Sequence, residues 1–380
     1  MRIAIDCTAG FQQWAGIGRY TRGLVRALAA LDRANDYVLF HFRGARNNTD
    51  NWITPTPNFQ DKPISFSERT VGMIWYHLGI PLPVDFFVGS ADLYHSPDFV
   101  LPPVRRGRAV VTVHDLSFML FPECAEEGLR RYLDRMVPHS LSRADLVLAD
   151  SANTQNDLIC LLDVPPEKVE VVYPAAEPHF RRVEDPPVLS KVRQKYKVPD
   201  SFILSVGTLE PRKNLVRLVK AYRRLKRESA FTPKLLISGR EGWLFQDIYK
   251  AVADAGLEDD VKFVGYVAEE DLPALYSMAE ALVFPSLYEG FGFPPLEAMA
   301  CGTPVVCSTR SSLPEVVGEA AVLVDPHDVP ALADAIHSVI DSPDLRARLV
   351  QKGLVQAQKF SWEKTAEKVL GLYSRLLERS

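Results

Sequence analysis

Cysteine is scarce and shows no pairing pattern. The five present, Cys7, Cys124, Cys160, Cys301 and Cys307, are odd in number, have no C-x-x-C spacing and stand beside no histidine pair. This excludes a disulfide framework and a structural zinc site, and fits reduced thiols. No apolar run approaches the roughly 18 residues of a membrane span. Met1–Asp6 lacks the apolar core of a signal peptide and reads as the start of a strand, so a soluble, cytoplasmic protein is expected. Positive charge is not in excess either: 44 Lys and Arg stand against 48 Asp and Glu, a net charge of −4. Split at residue 180, the first part carries 17 basic and 21 acidic residues and the rest 27 of each. Neither part is a polycation, so nucleic acid is not an expected partner. The clusters Arg105, Arg106, Arg108 and Arg130, Arg131, Arg135 read first as solvated faces and second as contacts for phosphate or anionic lipid headgroups. D-x-D, G-x-x-x-x-G-K-[ST] and G-x-S-x-G are all missing, which removes a carboxylate-held metal for a diphosphate, a P-loop and a nucleophile elbow.

The chain does have enough apolar sequence for large cores: 47% of its 380 residues are hydrophobic and 24% charged, and that length corresponds to roughly two to three domains. Short apolar runs at 2–7, 37–42, 109–113, 146–149 and 170–173 predict buried strands, with helical patterns at 17–31 and 129–142 between them. The theme then repeats. Strands are predicted at 202–206, 234–238, 261–264, 281–284, 304–307 and 321–323, and helices at 215–228, 244–255, 271–277, 295–300 and 329–338. Strands alternating with helices of this length imply parallel sheets covered on both faces. The expected fold class is therefore α/β with two doubly wound domains. Between the two series, Pro174, Pro178, Pro186, Pro187 and Pro199 mark a linker with a short helix at 188–196. The expected domains are 1–177, 178–360 and a final amphipathic helix, 361–380, with Ser361 as its N-cap.

The densest chemical signal is Glu289-Gly290-Phe291-Gly292-Phe293-Pro294-Pro295-Leu296-Glu297, which follows a strand and enters a helix near Pro294 or Pro295. Proline suits a first helical turn. Gly290 and Gly292 let the backbone approach a ligand, and a helix N-terminus is an anion site. With a carboxylate at each end to accept hydroxyls, the loop suits a sugar nucleotide: a diphosphate for the amides and sugar hydroxyls for Glu289 and Glu297. The second signal is Gly207-Thr208-Leu209-Glu210-Pro211-Arg212-Lys213, at the carboxyl edge of a strand, where doubly wound sheets bind ligands. Arg212 and Lys213 oppose the dipole of the helix they precede, and together they fit a diphosphate.

Weaker signals lie earlier in the chain. Gly16-Ile17-Gly18-Arg19-Tyr20-Thr21 is expected in a glycine-rich loop entering a helix; with Thr21 at the third glycine position it fails as a dinucleotide fingerprint. His114 and Asp115 close the strand at 109–113 on the ligand-bearing edge, where Asp115 serves equally well as a helix cap. Tyr94-His95-Ser96-Pro97 closes another such edge.

These residues resemble family 4 of the retaining glycosyltransferases, with Glu289 and Glu297 as the E-x7-E element, Arg212 and Lys213 as the basic pair, and Gly16 to Gly18 as the glycine loop. The resemblance implies the GT-B fold: two facing Rossmann-like domains with the active site between them and a last helix crossing back onto the first. It implies that Glu289 lies near the donor hexose hydroxyls, that Gly292 and Phe293 offer amides, and that Glu297 accepts from the ribose. Arg212 and Lys213 would clamp the diphosphate, His114 would lie beside the donor sugar, and Tyr266 and Val267 would lie at the nucleobase. The implied reaction moves a sugar from a nucleotide donor to an acceptor hydroxyl with retention and without a metal, by same-face displacement, with Glu289 positioning and not nucleophilic.

The runs I-A-I-D at Ile3–Asp6, G-I-G-R-Y at Gly16–Tyr20 and V-H-D-L at Val113–Leu116 are most similar to bacterial mannosyltransferases of surface-polysaccharide assembly. That implies GDP-mannose as donor, a glycan or polyprenyl-linked acceptor, and a peripheral contact with the inner membrane face through the basic clusters or the amphipathic segment at 11–31. The competing expectations are a UDP-hexose transferase, a sugar-nucleotide epimerase, a two-domain dehydrogenase and a non-catalytic sugar-nucleotide sensor. The dehydrogenase lacks its G-x-G-x-x-G, and the intact Arg212, Lys213, Glu289 and Glu297 set disfavours the sensor.

Overall fold

Strands form here from short apolar runs with no polar face, because a parallel strand covered by helices on both sides buries every side chain. Ile3, Ala4 and Ile5 have no exposed surface, and all four residues of Leu146–Ala149 are buried. The structure is a computed structural model; it describes the chain apart from residues 14–15, 45–51, 53–55, 74, 76–81, 230–231 and 379–380. The chain divides into two compact units: Met1–Met119, Gly128–Ala175 and Ser361–Ser380 form the first, and Leu120–Glu127 with Ala176–Phe360 form the second.

In unit 1 the strands are β1 (Arg2–Asp6), β2 (Asp36–Arg43), β3 (Phe59–Ser67), β4 (Leu93–Ser96), β5 (Arg108–Val113), β6 (Leu146–Ala149) and β7 (Val169–Val171). All pairs are parallel, in the order β3-β2-β1-β4-β5-β6-β7. The helices of this part are α1 (Thr8–Gln12), α2 (Gly16–Leu31), α3 (Glu68–Gly72), α4 (Asp85–Val88), α5 (Ser117–Leu120), α6 (Glu127–Arg143) and α7 (Ala152–Leu162). The sequence reading misses β3. That strand pairs on one side only, buries just Phe59 and Ile64 of its nine residues and contains Pro63, all features of an edge strand.

Unit 2 contains α8 (Pro186–Tyr196), β8 (Phe202–Val206), α9 (Leu215–Glu228), β9 (Lys234–Ser238), α10 (Gln246–Ala255), β10 (Val261–Gly265), α11 (Leu272–Met278), β11 (Ala281–Phe284), α12 (Phe293–Ala300), β12 (Val305–Ser308), α13 (Leu313–Val317), β13 (Ala321–Val324), α14 (Val329–Asp341) and α15 (Pro343–Ala357). Its sheet is also parallel, ordered β10-β9-β8-β11-β12-β13. Successive strand residues feed opposite faces. Ile203, Leu235 and Ile237 pack with Leu218 and Tyr222 of α9, whereas Phe202, Leu204 and Leu236 pack with Leu275 of α11 and Leu296 of α12. In each sheet the strand order reverses once, at β1/β4 and at β8/β11, and the carboxyl ends of those strands make the crevice in which such sheets bind ligands.

The last helix, α16 (Trp362–Glu378), belongs to unit 1. Ser361 Oγ accepts from the Lys364 amide, as expected of an N-cap; Arg379, included in the expected helix, lies outside the described residues. The indole of Trp362 lies so close to Gly23 of α2 that a Cβ there would collide with it. Thr365 Oγ1 donates to the Tyr173 carbonyl at 2.7 Å, and the Tyr373 hydroxyl meets His95 Nδ1 at 2.6 Å, with His95 Nε2 2.9 Å from Thr112 Oγ1. Burial, and then the charge of His114, pull the His95 pKa down from 6.5 to about 3. The unfolded chain thus takes up a proton near pH 6.5 that the native state refuses until about 3, so this site's contribution is complete above pH 6.5 and is lost on acidification. Tyr373→Phe should strip a partner from a buried ring nitrogen and cost about 1–3 kcal/mol. Urea unfolding at neutral pH measures this, and an unchanged midpoint would show that the bond contributes nothing.

Candidate functional site

The carboxyl ends of β8 and β11 carry two loops that the sequence locks together. After β8, Gly207 takes φ 149°, and Glu210 leads into a single 3-10 turn, Pro211–Lys213. Arg212 and Lys213 therefore sit in this turn, ahead of the first residue of α9. Asn214 follows at φ 59°, a left-handed conformation that asparagine tolerates. Its side-chain amide donates to the Pro285 carbonyl at 3.0 Å and the Pro326 carbonyl at 2.7 Å, and the Leu287 amide donates to the Arg212 carbonyl at 2.9 Å. The turn is thereby fixed against the loop leaving β11.

That second loop holds Glu289. Its amide donates to Ser311 Oγ at 2.8 Å, and the Ser312 hydroxyl reaches the carbonyls of Glu289 at 2.9 Å and Phe291 at 2.6 Å. Gly292, at φ 122°, has Leu313 Cδ2 2.8 Å from where a Cβ would stand, so both conformation and space require glycine. The helix begins at Phe293, one residue before the earlier of the two expected starts, and no side chain caps it. Gly290 and Phe291 complete the loop, with the Phe291 and Phe293 rings 5.4 Å apart.

Between the loops lies a nearly dry ion cluster. Lys213 Nζ donates to Glu289 Oε1 at 2.6 Å. Arg212 Nη1 donates to Glu289 Oε2 at 3.0 Å and to the Tyr288 carbonyl at 2.7 Å, while Nη2 donates to Glu210 Oε1 at 2.7 Å. Glu289 is only 8% exposed. Burial raises its carboxyl pKa, but Lys213 and Arg212 outweigh burial and hold it at about 2. Lys213 also lies 5.3 Å from the centre of the Phe284 ring. Glu297, 1% exposed on α12, accepts from the Tyr276 hydroxyl at 2.9 Å. Tyr266 is 45% exposed, with the Arg240 guanidinium 4.4 Å above its ring, and lines a cavity of about 280 Å³ with Gly239, Tyr249 and Gly265. Val267 is buried in the core beside Leu272 and Leu275.

The remaining expected site residues lie in unit 1. Gly16 and Gly18 belong to the first turn of α2 and not to a loop, because α1 occupies part of the stretch after β1. Gly18 is required because a Cβ would collide with the Gln13 carbonyl. Asp115 Oδ1 accepts from the Ser117 amide at 2.8 Å, which is the cap role. His114 pairs not with its sequence neighbour Asp115 but with Asp150, whose Oδ2 is 2.7 Å from Nδ1, while Nε2 donates to the Pro97 carbonyl at 2.9 Å. Burial lowers the His114 pKa, but Asp150 reverses this and lifts it to about 9.

At the β1/β4 crevice of the same unit lies a cavity of about 1100 Å³. Asp6, Asp98 and Arg69 line it among Phe99, Trp75 and Tyr132. Sequence reasoning misses Glu210, Asn214, Tyr276 and Asp150. Only Glu210 and Asn214 carried a signal, flanking Arg212 and Lys213 within the same loop.

The ion cluster predicts an acid-labile term in stability. Glu289 has a depressed native pKa, so its contribution is complete above the unfolded value of 4.5 and disappears as pH falls toward 2. The size is about 3 kcal/mol for a shift of that size. Glu289→Gln should flatten this part of the stability–pH curve, measured by urea unfolding between pH 5 and 3. A variant curve parallel to wild type would rule out the pairing.

Known proteins resemble the chain in sequence and in fold. A family model described as Glycosyltransferase Family 4 matches residues 14–180, and one described as Glycosyl transferases group 1 matches residues 190–356. O-antigen chain mannosyltransferase B of Escherichia coli is 34% identical over 375 residues, which cover 95% of this chain and 96% of that protein. Sucrose-phosphate synthase from Thermosynechococcus elongatus superposes with a TM-score of 0.78 at 23% identity, over the whole of both chains. Anabaena HepE, solved with UDP and glucose, gives 0.76 at 21% identity over 99% of this chain and 100% of that one. The structural likenesses establish the GT-B fold, and the likeness in sequence extends along nearly the full length of both proteins: the chain belongs to glycosyltransferase family 4.

Proposed function

We propose that this glycosyltransferase moves a mannosyl group from GDP-mannose to a hydroxyl of a glycan or polyprenyl-linked acceptor in surface-polysaccharide assembly, with retention of configuration. The observation that carries the reading is the Arg212–Lys213–Glu289 cluster at the β8/β11 crevice. Two cations beside a helix N-terminus suit a diphosphate, and they stabilise the charge that builds on it as the sugar departs. Lys213 spends one of its three donors on Glu289, so it can turn to a phosphate without leaving the cluster. Arg212 and Lys213 would supply the positive charge that a metal ion supplies elsewhere, so the reaction should need none.

Glu289, ionised at every physiological pH, accepts hexose hydroxyls and positions the sugar, and Glu297 receives the ribose. The nucleobase is read at Tyr266 and at the backbone of Val267, and His114 stands on the donor-sugar side. Gly16 and Gly18 seat the start of α2 beside the acceptor. The carboxylates and aromatic rings of the unit 1 cavity suit a sugar acceptor, with Asp6 and Asp98 taking hydroxyls. In the displacement, the acceptor oxygen bonds to the anomeric carbon on the face from which the phosphate leaves, and its proton passes to the departing phosphate oxygen.

The mannose assignment follows the E. coli relative's name, whereas the UDP bound to the Anabaena neighbour favours a UDP-hexose donor as the second reading. Among the described residues no helix is long and apolar enough to cross a membrane, so a lipid-carried acceptor would be met by peripheral contact, on the inner membrane face.

Thermal stabilisation by nucleotides ranks the donors without the acceptor, since ligand binding to the native state raises the midpoint. GDP and GDP-mannose should stabilise more than UDP compounds in the presence of a chelator. Lys213→Ala should abolish the shift and lower kcat by about a hundredfold or more. A larger UDP shift would move the donor to a UDP-hexose, and unchanged turnover in Lys213→Ala would defeat the diphosphate assignment.

A further inference from the structure

Unit 1 carries an aromatic cluster that is anchored to its core through Phe87 and reaches outward from it. Phe86, on the four-residue helix α4, is 78% exposed, and Phe66 near the end of β3 is 51% exposed. Phe87 joins them, with its ring centre 5.7 Å from Phe86 and 5.9 Å from Phe66, both edge-on. A single exposed phenylalanine needs no explanation, but a contiguous apolar patch rimmed by charge marks an interaction surface.

The rim is cationic. Both oxygens of Asp85, on the same helix, accept backbone amides, from Arg105 at 3.0 Å and from Arg106 at 3.3 Å. The only acid of α4 is thereby committed to fastening the arginine loop beside Phe86, and neither exposed guanidinium has a carboxylate partner among the described residues. Lys62 is fixed to the same corner, its Nζ donating to the Val88 carbonyl at 3.2 Å. After β3 the chain continues through α3 to Met73, which is 51% exposed and lines the large unit 1 cavity together with Arg69. The patch is therefore connected to the rim of the site assigned above to the acceptor.

We propose that this corner of unit 1, with Phe66 and Phe86 inserting and Arg105 and Arg106 meeting phosphates, docks the enzyme on an anionic lipid bilayer. The chemistry selects that occupant. A protruding ring on a four-residue helix is a wedge and not a groove, and the exposed arginines in the loop fastened to that helix complement an anionic surface. Aromatic side chains together with Arg and Lys are the pairing that binds headgroup and acyl boundary at once. The advantage for catalysis rests on the transferase reading, because a lipid-carried acceptor would then arrive at the Met73 side of the cavity. The docking itself does not depend on that reading.

The test is flotation of the full chain with vesicles of phosphatidylglycerol and phosphatidylethanolamine, against vesicles of phosphatidylcholine. Wild type should float with the anionic vesicles and lose binding as salt rises. Phe66→Ser with Phe86→Ser should weaken partitioning about tenfold or more, and Arg105→Gln with Arg106→Gln about tenfold. All variants should keep the wild-type melting temperature and nucleotide shift, because these side chains are exposed and belong to unit 1, whereas the ion cluster is built within unit 2. Phe86→Trp should blue-shift its emission on the anionic vesicles. Wild type that stays unbound, a double serine variant that floats like wild type, or a soluble dimer broken by Phe86→Ser would each overturn the proposal. Because none of these readouts uses turnover, failure here leaves the donor assignment intact, and failure of the nucleotide shift leaves this one intact.

Discussion

The site depends on one carboxylate held between two cations. Glu289 comes from the loop after β11 and its partners from the turn after β8, so the ion cluster exists only because adjacent strands end together at the reversal point of a parallel sheet. Burying such charges is costly unless every partner is placed. Here Asn214 and the Arg212 carbonyl tie the two loops before any ligand arrives. With Glu210 on the far side of Arg212, two cations face two acids, and the empty cluster is electrically balanced. On the proposed reading, an entering diphosphate would displace carboxylate contacts instead of meeting bare charge. The energy that holds the two loops together would then be the energy that binding has to redirect.

What could be read from sequence divides along the same lines. The strands of both sheets were legible because burial on two faces leaves uninterrupted apolar runs, and the ligand loops were legible because glycine, proline and charge fall together within a few residues. Elements with neither mark were missed: β3 at a sheet edge, the short helices α1, α3, α4 and α5, and α7, α13 and α15. Partner choice was legible only where it is local. Asp115 follows His114 in the chain, yet the imidazole turns to Asp150, which comes from the end of the neighbouring strand. Glu297 finds Tyr276 across two helices, and nothing near either residue in sequence indicates it. The glycines of α2 show the opposite error. Gly16 and Gly18 look like a loop, but they open a helix, where Gly18 lets the Gln13 carbonyl approach.

The two units use one topology for different chemistry. Each sheet reverses its order once, and each reversal opens a crevice at the strand ends. In unit 2 the crevice is filled by ion pairs and a glycine-bearing loop. In unit 1 the loops stay apart, leaving about 1100 Å³ among aromatic rings with only a few charges. That contrast follows from what leaves the strands: a tight 3-10 turn and a glycine-bound helix start in one case, the short α1 and the sequence after β4 in the other.

Two histidines at the ends of adjacent strands in unit 1 show how little burial alone decides. His95 and His114 are both fully enclosed, and for both the largest influence is burial, which disfavours the cation. His95 meets only hydroxyls, from Tyr373 and Thr112, and stays neutral down to about pH 3. His114 meets the Asp150 carboxylate and keeps its proton to about pH 9. The charge on the second then helps to suppress charge on the first, so the assignment is self-consistent. It also explains why the hydroxyl on the last helix matters: a neutral His95 needs a neutral partner, and Tyr373 supplies one where an acid would have reversed the choice.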